Sequence, residues 1–100
     1  MTSSDFNDAL RFAAERAIAY RTALPDRPHR PDASYRDMQT AFAEPLPEQG
    51  APAATVIDDL IARATPGLIG MAGPRFFGWV IGGSHPVGVA ADWLTSAWGQ

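Results

Sequence analysis

Two residue types are missing from this 100-residue chain. There is no cysteine, and all eight basic residues are Arg, so there is no lysine either. Without cysteine the chain forms no disulfide, offers no thiolate nucleophile and builds no sulfur-ligated metal site, which fits a reducing compartment. Without lysine it cannot form a Schiff base of its own or contain a P-loop lysine. An excess of positive charge is missing too. The net charge is −3 and no basic face is evident, so nucleic acid is disfavoured as a partner. Long apolar runs are absent: the most apolar region, residues 66–94, is broken by Arg75, His85 and Asp92 and by several Gly and Pro, which makes a poor membrane span. The start, MTSSDFNDAL, is acidic and lacks the basic opening and apolar run of a secretory leader. Together these absences point to a cytoplasmic location.

What is present suits one small domain or a piece of a larger one. The hydrophobic fraction, 46%, is ordinary for a globular chain and argues against disorder throughout. Phe6, Leu10, Ala13, Ala14, Ala17 and Leu24 recur at helical spacing and predict a helix over residues 5–23. Ser4 is its expected N-cap, Asp5 and Asp8 suit the positive end of the helix dipole, and Arg11 and Glu15 are spaced to pair. Pro25 ends it. The following LPDRPHRP should be extended and solvated. Residues 33–43 predict a short helix with Tyr35, Met38 and Phe42 on one side, Ser34 as cap and Asp37 completing a capping box.

A second proline-rich connector, EPLPEQGAP, leads to a helix beginning between Pro52 and Thr55. Val56, Ile57, Leu60, Ile61 and Ala64 form its apolar stripe, and Pro66-Gly67 stops it. Residues 76–81 are β-prone and apolar on both faces, with Gly78 marking a close approach. Gly82 and Gly83 allow a turn, Ser84 or His85 caps a last helix, and Pro86 is suited to its first position. Ala90, Trp93, Leu94, Ala97 and Trp98 share a broad face of that helix.

Candidate chemistry is thin. His29 lies in a stiff loop with no ligand partners at metal spacing. Gly82-Gly83-Ser84 before a helix could cradle an anion, but the longer glycine fingerprints are missing and an ordinary turn with a cap accounts for it. Ser84, His85 and Asp92 formally make a triad, yet adjacent Ser and His place hydroxyl and imidazole poorly in line. Asp92 is expected to bond backbone or an Arg instead. Asp58 and Asp59 point apart on a helix and make no catalytic pair. Phe77 and Trp79 share one strand face and Phe76 the other, so the segment needs cover on both sides. The predicted helices supply little, and some apolar surface should meet a partner or further chain.

Residues 73–100, GPRFFGWVIGGSHPVGVAADWLTSAWGQ, resemble the N-terminal signature of the group II pyridoxal-phosphate-dependent amino-acid decarboxylases. That family includes the aromatic-amino-acid, glutamate and 2,4-diaminobutyrate enzymes. Its pattern is roughly H-P-x-F-x-G, a short variable run, then P-x-x-x-x-A-D-x-L. Pro74, Phe76, Gly78, Pro86, Ala91, Asp92 and Leu94 match it, and Gly73 stands where histidine is usual. The upstream helix and the two proline-rich connectors also look like the family's N-terminal region. The resemblance implies a fold-type I enzyme whose N-terminal helices lie as a flap across the partner subunit of an obligate homodimer. It implies an L-amino-acid substrate, with Phe77, Trp79, Val80, Ile81 and Gly82 lining the substrate pocket and contributing shape and desolvation. Pyridoxal phosphate would act as electron sink. Its lysine, its pyridine-nitrogen aspartate and its ring-stacking histidine would lie downstream, in a C-terminal catalytic domain.

The expected fold is therefore mainly α: three principal amphipathic helices plus a short one, proline-rich connectors and a short extended aromatic segment. Residues 1–72 would be the dimerising flap and 73–100 the start of the catalytic domain. Alone, this polypeptide should decarboxylate nothing. The alternative is a free-standing helical dimerisation module without catalysis, and a small hydrolase using Ser84 and His85 is a remote third.

Overall fold

The computed structural model describes residues 3–73 and 84–100. Four α-helices follow one another: α1 (Ser3–Ala23), α2 (Tyr35–Ala41), α3 (Ala53–Ala64) and α4 (Pro86–Trp98). No strand occurs among the described residues, and the expected mainly helical architecture is the one found. The expected extended aromatic segment, residues 76–81, lies outside the described residues.

Each helix carries its own local signals. In α1, Asp5 sits in the first turn and Arg21 in the last, matching the dipole at both ends. The helix already includes Ser4, so Ser4 is not its N-cap. A serine is tolerated within a first turn, where several backbone N–H groups lack helical partners in any case. Arg11 pairs with Asp8 at 3.5 Å rather than with Glu15, one turn back instead of one turn forward. Before α2, Ser34 accepts from Asp37 N at 3.1 Å and its own N–H donates to the Asp37 carboxylate at 2.9 Å. That closes the capping box. The two hydrogen bonds with Ser34, backbone first and then side chain, hold the Asp37 carboxyl below its ordinary pKa. In α4, His85 is the N-cap, its Nδ1 accepting from Val87 N at 3.2 Å, with Pro86 in the first turn. Gly99 ends it at φ 74°, a left-handed angle that glycine adopts without strain.

The first proline connector is largely solvated, as expected, with Leu24 and Arg27 withdrawn from solvent, but it does not start as an extended segment. Leu24–Asp26 form a turn of 3₁₀ helix, and Leu24 is only 5% exposed. The segment after it is laced to the loop following α3. Asp32 N and Ala33 N both donate to Pro66 O, at 2.8 and 3.0 Å, and Gly70 N donates to His29 O at 3.3 Å. Arg27 Nη2 donates to Thr65 O at 2.6 Å and its guanidinium lies 5.3 Å from the Tyr20 ring centroid. In these contacts the connector side mostly donates and the loop after α3 accepts, through Thr65 O and Pro66 O, with His29 O the acceptor in the opposite direction.

Arg63 joins the remaining pieces. It pairs with Glu44 of the second connector and with Asp59 one turn back at 3.0 Å, and its Nη1 donates to Ala41 O at 3.0 Å. Glu44 first and Asp59 second raise its pKa above the ordinary arginine value. Asp58 turns the other way and pairs with Arg16 of α1 at 3.4 Å, so the adjacent aspartates diverge as their helical spacing requires. Of the side of α2 that carries Tyr35, Met38 and Phe42, Met38 packs on Gly67, whereas Tyr35 is 82% exposed.

Burial is sparse. Among the described residues Leu24 is the one buried hydrophobic side chain. The radius of gyration is 15.6 Å, against about 13 Å for a compact chain of this length. Among the described elements, α4 brings no Cα within 8 Å of α1, α2 or α3, whereas α1 and α3 pack directly.

Candidate functional site

Helices α1 and α3 pack on one another, and the apolar stripe of α4 does not close on either. The three helices form the walls of one trough of about 1230 Å³. Leu10, Ala13, Ala14 and Ala17 come from α1, Ile57, Leu60, Ile61 and Ala64 from α3, and Val89, Ala90, Trp93, Leu94 and Ala97 from α4. These are largely the residues that helical periodicity groups into stripes. At the α1–α4 end a smaller recess of about 350 Å³ lies between Phe6, Leu10 and Ala13 on one side and Asp92, Trp93 and Ser96 on the other. The charged side chains lining the trough, among the described residues, are Arg11, Arg16 and Arg21, all of α1.

One polar link ties α4 to the rest. Arg21 Nη1 donates to Ser84 Oγ, and Arg21 Nη2 donates to Ser84 O at 3.1 Å. Sixty-three residues separate the two, and nothing in the local pattern around either one signals the contact. Gly73, at the other side of residues 74–83, also sits at the end of α1: a Cβ there would come within 3.3 Å of Leu24 O. The flanks of the aromatic segment thus converge on the last turn of α1. The pocket residues implied by the resemblance, Phe77, Trp79, Val80, Ile81 and Gly82, lie outside the described residues.

The described residues assemble no hydrolytic machinery. Ser84 Oγ accepts from Arg21, His85 Nδ1 is occupied by the Val87 N–H, and Asp92 faces the recess beside Phe6. The triad geometry, which requires the imidazole to accept from the serine hydroxyl, is not formed. Among the described residues, no hydrogen bond or ion pair joins the Asp92 side chain to the backbone or Arg partner expected for it. His29 is exposed, and no cluster of three or more His, Cys, Asp or Glu side chains that could hold a metal occurs among the described residues. No helix of the described residues is long and apolar enough to cross a membrane. Pyridoxal phosphate does not fit this chain by itself, since the chain has no lysine to carry it. What the arrangement offers is apolar surface around a cleft with arginines along one wall.

Searches for a matching protein-family model, curated protein or solved structure each returned none.

Proposed function

We propose that this chain is the N-terminal segment of a pyridoxal-phosphate-dependent amino-acid decarboxylase, supplying contacts to a second subunit and part of the substrate pocket. The observation that carries the reading is the unclosed trough. Among the described residues, three helices present apolar stripes to a common space without filling it, with Trp93, Leu94 and Trp98 at 38%, 50% and 66% exposure. Surface of that kind is stable only when covered, and a flap lying on a larger body is covered in that way. The sequence match through Pro74, Phe76, Gly78, Pro86, Ala91, Asp92 and Leu94 supplies the choice of body. The lysine and the remaining cofactor contacts would come from other polypeptide, and no chemical step is assigned to the residues in hand. Phe77, Trp79, Val80, Ile81 and Gly82 would shape and dry the pocket around an L-amino acid.

The test is expression of the complete reading frame that contains these residues, with pyridoxal phosphate supplied. Bound cofactor absorbing in the visible range, CO₂ release from an L-amino acid and altered substrate preference on Trp79→Ala are the expected results. A reading frame without any lysine-bearing domain, and a product that binds no cofactor, would sink the proposal and favour the alternative of a free-standing helical dimerisation module, which the same trough also suits.

A further inference from the structure

We infer that the trough between α1, α3 and α4 receives one amphipathic helix with acidic flanks, supplied by a polypeptide other than a second copy of this chain. This deepens the preceding reading by naming the chemistry of one covering element, and it rests on the same unfilled surface.

Size comes first. A three-turn helix about 10 Å across and 16 Å long displaces on the order of 1,250 Å³, close to the trough's 1230 Å³. Small-ligand pockets run roughly 300–1,000 Å³. The walls are themselves helices of 12 and 13 residues in α3 and α4, so a helix laid between them meets ridges and grooves along its length.

Charge narrows the choice. The chain as a whole is acidic, at −3, yet the charged groups lining the trough among its described residues are arginines. Arg11 and Arg16 sit in exposed pairs with Asp8 and Asp58 at 3.5 and 3.4 Å, contacts weak enough to exchange for an incoming carboxylate. Arg21 donates to the neutral groups of Ser84, with no carboxylate pairing with it among the described residues. Partner carboxylates along the α1 side would therefore be attracted, and partner lysines repelled. A second copy fits less well. Its long helices already turn their stripes into their own trough, and α2, at seven residues, is too short to fill another.

The experiment uses the full 100-residue chain and two synthetic helical peptides sharing one Leu/Ile/Ala stripe, flanked by Glu in one and by Lys in the other. Titration calorimetry and tryptophan emission read binding, with no cofactor or CO₂ involved, so failure here is separable from failure of the decarboxylase reading. The Glu peptide should bind one to one, about tenfold or more tighter than the Lys peptide, and weaken as salt rises. Arg11→Gln and Arg16→Gln, both at exposed positions and both expected to leave helicity intact by circular dichroism, should each cost roughly two- to fivefold in affinity. Equal binding of both peptides, or no effect of either arginine variant, overturns the acidic flank. Displacement of the Glu peptide by laurate at stoichiometric concentration overturns the helix in favour of an acyl anion. A concentration-dependent dimer by sedimentation that binds neither peptide overturns it in favour of a second copy.

Discussion

The two ends of this molecule are built on different terms. From α1 through α3 the chain is tied by hydrogen bonds between residues far apart in sequence: the Pro66 carbonyl takes two N–H groups, Arg27 reaches Thr65, and Arg63 bridges α2, the second connector and α3. Helix α4 is equally regular inside itself, with a cap at each end, yet its described polar tie to the rest is Arg21 to Ser84. Both halves show good helices, and among the described residues the first shows many tertiary ties and α4 a single polar one beside it. Helical regularity is thus no measure of how firmly a segment is held. Local hydrogen bonds satisfy the backbone, but position comes from side chains that meet other elements.

The largest blow to the laced half should come from Leu24→Ala. It removes the one buried hydrophobic side chain described and should destabilise α1–α3 by about 2–4 kcal/mol, read as a lower urea midpoint by circular dichroism. A loss below about 0.5 kcal/mol would mean that the laced half has no centre at Leu24. Next, Ser34→Ala should cost about 1 kcal/mol and lower amide-exchange protection in α2, leaving α4 unchanged. Equal loss in α4 would show the two halves to be one cooperative unit.

The capping box also gives a pH signature. The Asp37 pKa is lowered in the folded chain, so its contribution is present above its ordinary value of 3.8 and fades as pH falls through the lowered value. Amide-exchange protection of α2 should fall in that acid window, and Ser34→Ala should remove the dependence.

Smaller in free energy but sharper for the comparison is Arg21→Ala. Global stability should change by less than about 0.5 kcal/mol, while α4 loses its fixed place. Because the chain has no cysteine, spin labels at Glu15→Cys and Ser96→Cys report only that distance. It should be narrowly distributed with Arg21 and broad without it, and an unchanged distribution would show that something other than this contact holds α4. Smallest of all, Trp98→Ala at a position 66% exposed should leave the isolated chain within about 0.5 kcal/mol of its original stability. A larger loss would place α4 in a core with the other helices.

Much of the fold was legible because its signals are short-range. The Ser34–Asp37 box, the Pro86 start after His85, the stop at Pro66-Gly67 and the divergence of Asp58 from Asp59 each depend on residues within one turn of one another. Arg27 to Thr65 and Arg21 to Ser84 lay beyond such reading, since no local pattern connects residues 38 or 63 positions apart. Leu24 carried two local signals: helical spacing put it in the apolar stripe of α1, and its proline-rich neighbours indicated solvent. Its burial follows the stripe.

For the candidate site the division is similar. Periodicity grouped Leu10, Ala13 and Ala17 on α1, Ile57 and Ile61 on α3, and Trp93 and Leu94 on α4 into separate stripes. It could not say that α1 and α3 would pack while all three stripes bordered one trough. Sequence by itself determined which residues become helix, where each helix starts and stops, and which face of each is apolar, because those properties follow from hydrogen bonds and sterics within a few residues. Tertiary structure alone decided that α1 and α3 pack while α4 stands off across a gap. That outcome depends on long-range side-chain contacts whose energies are set by three-dimensional complementarity.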